Sequence, residues 1–264
     1  MSIHSRNRLL NCLSVGSRDR LLAHCTSVSL PLKTSLSRPE ETPRFAFFML
    51  SGMTSLVTRM DDGASAEVNV VGFEGLVNSL HLLGPTPSPI DTFIQLAGEA
   101  LRIPFSELRK AFRDTEEIRD RILEFVQSQA MTTAQIAGCS RLHEAEERLA
   151  RWLLMAHDRA GTGDLGVTQE FLAMMLGARR TTVTLIAGTL QRAGLIEYHR
   201  GNVKILDRER LEAAACDCYK VTHRLNAGLY STPWPGANGF FHPSPAVARP
   251  PNRPSASDLP VGND

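Results

Sequence analysis

The spacing of apolar positions changes period along the chain, and each change predicts a new kind of element. Within residues 6–25, Leu9, Leu10, Leu13, Leu21 and Leu22 form the apolar set of two short amphipathic helices. From Val28 to Phe105 the texture becomes that of β-strands. Met53–Arg59 is a run of β-formers, Asp61-Asp62-Gly63 is a turn signal, and Ala66–Val71 resumes the strand. Gly72, Gly75 and Gly84, followed by Pro85, Pro87 and Pro89, predict a long irregular connection. Phe93–Ile103 reads as a closing hairpin turned at Gly98-Glu99. Short strands broken by frequent turns predict an antiparallel roll or barrel.

Residues 106–137 switch to a helical period. Ile118, Ile122, Phe125, Gln129, Thr132 and Ile136 are spaced 4, 3, 4, 3 and 4 residues apart, an a/d seam that suits a parallel helix pair in a dimer. A helix packing on its own domain shows the same pattern, so the seam alone leaves both readings open. From Ser140 to about Leu195 the chain reads as all helix; Leu142, Ala145, Leu149, Trp152 and Leu153 share one face, and Gly161–Asp164 ends that helix. At the far end, residues 231–264 hold eight prolines, each of which removes a backbone donor and breaks helix and sheet alike. The resulting division is a helical segment (1–25), a β-roll (26–105), a dimerisation helix (106–137), a DNA-binding domain (138–220) and a disordered, proline-rich tail (221–264).

The DNA-binding assignment comes from residues 167–206. Thr168 is a natural N-cap, and Phe171, Leu172, Met175 and Leu176 give a short helix an apolar face. Gly177 sits where the chain must turn sharply. A second helix from about Arg180 turns Val183, Ile186, Ala187 and Leu190 inward, which leaves Arg179, Arg180, Thr181 and Thr184 outward at its head. These side chains suit phosphates and base edges. Thr168 and Gln169, at the head of the first helix, are further candidates. Glu197–Leu206 then reads as a two-stranded wing with Arg200-Gly201-Asn202 at its tip and Lys204 beside it. A generic helical hairpin would not need this basic face: residues 177–204 hold four Arg and one Lys against one Glu.

Composition narrows the alternatives. The 264 residues carry 29 Lys and Arg against 28 Asp and Glu, so any nucleic-acid field must be local. The N-terminus lacks the apolar stretch of roughly 7–15 residues that a secretion signal needs. Its most apolar early run, Phe45–Leu50, is far short of the about 20 residues of a membrane span. The expectation is a soluble cytoplasmic protein with no membrane partner. Five cysteines with irregular spacing favour free, incidental thiols, and the eight histidines form no pair at metal-ligand spacing. No metal or cofactor is expected. No Gly-x-Ser-x-Gly, phosphate-loop or dinucleotide signature is present, so no catalytic residue is assigned and the protein is not expected to be an enzyme.

In its order of roll, long helix and winged helix–turn–helix, the chain resembles the Crp/Fnr family of bacterial transcription regulators over roughly residues 6–220. Val71-Gly-Phe-Glu-Gly-Leu-Val77, Ser140–Leu154, Thr168–Ile196 and Leu206–Tyr219 carry the likeness. The resemblance implies an α+β fold with a cyclic-nucleotide-binding-like antiparallel β-roll, a dimerisation helix and a C-terminal winged helix–turn–helix. It also implies a homodimer that binds a near-palindromic site on double-stranded DNA, with RNA polymerase as a further candidate partner. In the family the Arg that matches Arg180 contacts bases. Thr181 and Leu185 replace the Glu and Arg that accompany it in the best-known member, so the site read should differ.

The family's roll can hold a cyclic nucleotide, using an acid and a phosphate-binding Arg near a Gly-Glu turn. Gly72, Glu74 and Gly75 match that turn loosely and are the effector-pocket candidates. The Arg is missing, since residues 85–93 read Pro-Thr-Pro-Ser-Pro-Ile-Asp-Thr-Phe. The expected effector is therefore unknown and not a cyclic nucleotide. The competing reading is a ligand-sensing or protein-interaction module whose helix–turn–helix no longer binds DNA.

Overall fold

A computed structural model describes residues 6–84, 86–160 and 164–234; the proline-rich stretch from 235 onward lies outside the described residues. Two short helices, α1 (Arg8–Asn11) and α2 (Val15–Leu22), precede the roll. Asn7 caps α1 and, fully buried, also donates to the Met49 and Gly75 carbonyls, which fixes the chain's start to the roll.

The roll consists of two four-stranded sheets. One has the order β1 (Thr26–Leu30), β8 (Gly98–Pro104), β3 (Phe45–Met49), β6 (Leu76–Val77); the other has β2 (Ser35–Ser37), β7 (Ile90–Leu96), β4 (Met53–Arg59), β5 (Ser65–Val71). All pairs are antiparallel. The Asp62-Gly63 turn joins β4 to β5 as the sequence predicts; Asp62 accepts from Ala64 N and Gly63 has φ +84°. The expected closing hairpin does not form. β7 and β8 lie in opposite sheets, and the chain crosses between them at Ala97. At Gly98 a Cβ would sit 2.2 Å from the Ser51 carbonyl oxygen, so only glycine permits this crossing. Alternation predicts a strand but not its partner.

The expected helix at 106–137 is two helices, α3 (Phe105–Asp114) and α4 (Glu116–Leu142), separated by Thr115 in extended conformation. The proposed dimer seam on α4 is turned the other way. Ile118, Ile122 and Phe125 are fully buried in the core shared with this chain's own roll. Phe125 lies so close to Gly75 that a Cβ there would be 2.1 Å from its ring. Thr132 and Ile136 are buried too, and Gln129 is half-buried with its carbonyl accepting from Asn69. Five of the six are thus buried within the monomer and form no open seam, whereas Gln129 is only half-buried. Periodicity revealed an apolar face but could not say what covers it.

Beyond α4 come α5 (Ala145–Ala160), β9 (Asp164–Gly166), α6 (Gln169–Leu176), α7 (Arg180–Arg192), β10 (Ile196–His199), β11 (Asn202–Ile205), α8 (Arg208–Ala214) and α9 (Cys218–Gly228). Leu153, Leu172, Val183, Leu190, Val203 and Leu211 join in a second core. The wing has three strands rather than two, because β9 pairs with the free edge of β11. The sequence tail boundary at 221 also fails. α9 runs through it and packs on both α4 and α5. Leu229 enters the roll core, Tyr230 N donates to Glu124, and Arg121 donates to the Thr232 carbonyl. Arg8 of α1 meanwhile donates to the carbonyls of Asn226, Ala227 and Leu229. Among the described residues, no helix is long and apolar enough to cross a membrane.

Candidate nucleic-acid interface

Local chemistry builds the helix–turn–helix. The Thr168 hydroxyl accepts from Phe171 N at 3.2 Å and starts α6. Gly177 ends it at φ +58°, and the Ala178 N–H reaches back to the Ala173 carbonyl at 3.0 Å, a Schellman closure. The small side chain of Ala173 is buried beneath α7 alongside Val183 and Ala187. This packing leaves Arg179, Arg180, Thr181 and Thr184 exposed at the head of α7. The Thr184 hydroxyl lies 3.1 Å from Gln169 Oε1 and ties the two helices together.

The wing tip is a two-residue turn with Arg200 at φ +48° and Gly201 at φ +80°, the mirror-image geometry that matches strand twist in tight hairpins. It carries Arg200 and Lys204 into solvent. Thr168, Gln169, Arg180, Tyr198, Arg200 and Gly201 line one open groove between the helix heads and the wing. Tyr198 donates to the Val167 carbonyl at 3.2 Å; burial raises its phenol above the ordinary range, and Arg180 partly opposes this. Among the described residues, none of Arg179, Arg180, Arg200 and Lys204 is paired with a carboxylate. Their charge is free for an external anion. Leu185, which the sequence placed where the best-known relative has an Arg, is 71% exposed on the same face of α7 and joins the candidates.

A family model for the Crp-like helix–turn–helix domain matches residues 147–214. The CRP-like cAMP-activated global transcriptional regulator of Mycobacterium tuberculosis is 24% identical over 176 residues, covering 64% of this chain and 79% of that protein. The chain thus carries a Crp-like helix–turn–helix domain and is similar to transcription regulators of the Crp/Fnr type. Among solved structures, a Eubacterium rectale protein assigned to the crp/fnr family superposes with TM-score 0.63 at 18% identity, over 79% of this chain and 98% of its own. The c-di-GMP responsive regulator CLP of Xanthomonas campestris gives 0.60 at 20% identity, over 73% and 99%.

The roll holds a cavity, and Gly72, Glu74 and Gly75 are its expected effector residues. The three expected residues do not line its cavity. Glu74, 1% exposed, turns instead to α5, where Arg159 Nε and Nη2 both lie 2.8 Å from its Oε1. Gly72 N donates to the same oxygen, and Gly75 packs on Phe125. The family-like Gly-Phe-Glu-Gly turn is therefore a clamp between roll and DNA-binding domain. A carboxylate's preference for a guanidinium over an apolar cavity explains the direction. Glu67 makes a second bridge: it accepts from Ser55 at 2.6 Å and from Trp152 of α5 at 2.8 Å. Burial is the main cause that raises it to about 7.

The cavity itself measures about 470 Å³ between β4, β5, β7 and α4. Its walls are chiefly apolar, with Asn69, Thr92, Gln129 and Thr133 among the polar groups. No Arg or Lys lines it among the described residues, and Asp91 is committed to Arg59 at 2.6 Å.

Proposed function

We propose that the chain is a sequence-specific DNA-binding regulator acting as a homodimer on a near-palindromic site. α7 enters the major groove and the wing rides the backbone. The observation that carries this reading is the exposed head of α7, where Arg180, paired with no carboxylate among the described residues, shares one groove with Thr168, Gln169 and the wing-tip Arg200. Arg180 reads a base edge, Leu185 suits a thymine methyl, and Arg200 and Lys204 hold phosphates. A second copy would meet α4 along an exposed row, three of whose members, Ala130, Ala134 and Ala137, also line the cavity. Leu123, Gln127, Ala130, Ala134 and Ala137 are exposed there at spacings of 4, 3, 4 and 3, and the three alanines admit a close parallel helix.

The mycobacterial relative is named as cAMP-activated and the Xanthomonas protein as c-di-GMP responsive. Among the described residues this chain's cavity offers a phosphate no Arg or Lys, and burial favours the neutral form of its His81, which makes a buried phosphate costly. The effector it suits is a compact, uncharged, mostly apolar molecule.

Binding-site selection with the full-length protein tests the central reading. Arg180→Ala should lose about 1–3 kcal/mol of discrimination at one base pair per half-site. Wild-type protein that shows no salt-dependent binding to any duplex would overturn it in favour of an interaction module.

A further inference from the structure

Four side chains that lie far apart in sequence meet beside the junction of α4 and α5. Cys139 is in the last turn of α4 and His143 is its C-cap, one turn on and on the same side. Cys216 and Cys218 flank Asp217 at the start of α9. The four potential ligand atoms all lie within 4.8 Å of one another. Cys139 Sγ is 3.5 Å from Cys216 Sγ, and Cys218 Sγ is 3.5 Å from His143 Nδ1. In a tetrahedral zinc site with bonds of about 2.0–2.3 Å, neighbouring ligand atoms stand roughly 3.3–3.8 Å apart. The cluster is close to that size. A multi-iron cluster, whose cysteines bind different metal atoms, needs its thiolates spread around a larger cage.

We propose that Cys139, His143, Cys216 and Cys218 bind one zinc ion as a closed Cys₃His site that fastens α9 to the end of α4. The surroundings support it. Asp217 Oδ1 lies 3.5 Å from the outer nitrogen of His143, a placement that leaves Nδ1 facing the thiols. Gln135 donates its amide N–H to Cys218 Sγ at 3.0 Å, which suits a thiolate. Zinc with three thiolates carries one net negative charge. Arg151, buried and electrostatically coupled to Cys139 and Cys216, supplies a cation whose Nη1 meets only the Met155 thioether and whose Nε has no partner. The three cysteines pack on each other rather than in either hydrophobic core, so filling apolar space does not account for them. A Cys139–Cys216 disulfide would use two of the four groups and leave His143 and Cys218 unexplained. All four positions come from the protein, which marks a structural rather than a catalytic zinc.

The test uses full-length protein purified without chelator or nickel resin. Elemental analysis should find about one zinc per chain. After reductive removal of the metal, Co²⁺ should restore one equivalent, with a thiolate-to-cobalt charge-transfer band and the strong visible absorption of a tetrahedral site. Cys216→Ser and Cys218→Ser should lose the zinc, whereas Cys12→Ser and Cys25→Ser keep it. His143→Cys should retain metal with an altered cobalt spectrum. Because the cobalt titration is done on wild-type chain, a misfolded variant does not blunt the test. Wild type that neither carries zinc nor takes up cobalt overturns the proposal. So does iron with labile sulfide, a Cys139–Cys216 disulfide in its place, or zinc that survives both serine variants.

Discussion

Glu74→Ala is the most informative single change in the roll. It removes the carboxylate that Arg159 meets through two nitrogens at 2.8 Å, in a place where the two residues are only 1% and 8% exposed. Removing one partner of such a pair strands a buried cation and costs about 3–5 kcal/mol. The lower end applies here. Glu74 Oε2 has no partner, so the native pair is incompletely satisfied, and Arg159 keeps its bond to the Met155 carbonyl. A loss of about 3 kcal/mol against a urea slope of about 3 kcal/mol/M lowers the unfolding midpoint by about 1 M. Urea titration followed by circular dichroism measures it. The double variant Glu74→Ala/Arg159→Met should regain most of the loss, since apolar replacement of both charges is nearly neutral. A Glu74→Ala midpoint within about 0.2 M of wild type would refute the clamp, as would a double variant no better than the single.

Other outcomes follow from the same geometry. Arg200→Ala and Lys204→Ala should each weaken DNA binding evenly across sequences and lower the salt slope by about one, read by fluorescence anisotropy at several salt concentrations. Because Glu67 is raised from 4.5 to about 7, the folded state holds its proton more tightly than the unfolded chain. Its contribution to stability is complete below pH 4.5 and is lost as pH rises through about 7. Chemical denaturation across that window should show wild type weakening relative to Glu67→Gln, and parallel curves would contradict the assignment. Ala134→Glu, on the open face of α4, should convert a dimer of about twice 29.0 kDa into a folded monomer by light scattering. Loss of folding instead would place that face inside the chain.

The helix–turn–helix was legible because everything that specifies it is local. Thr168, Gly177 and the inward Val183, Ala187 and Leu190 lie within a few turns of one another, and what the helices bury leaves the Arg and Thr positions outward. The wing tip was equally plain from Arg200-Gly201. What the sequence hid were partnerships. Phe93–Ile103 alternates correctly, yet its two strands join different sheets. Ile118, Ile122 and Phe125 show a helical apolar face whether a second copy or the roll covers it. Cys139 and Cys216 are 77 residues apart, beyond the reach of any spacing rule. Glu74 belongs to a family-like turn, and only Arg159, 85 positions away, decides which way its side chain points.

The packing of α9 on both α4 and α5 limits how the protein can move. A DNA-reading head joined to its body only through the His143-Glu144 linker could swivel freely about that one point. Here α9 returns across the same joint, and Arg8 of α1 holds the carbonyls of Asn226, Ala227 and Leu229 at its C-terminal end. The head is thus held by α9 as well as by the linker and by the Glu74–Arg159 and Glu67–Trp152 bridges to the roll. Any reorientation of the head must slide or release α9 and break those bridges as well, so each of these contacts is a point at which a signal acts on it.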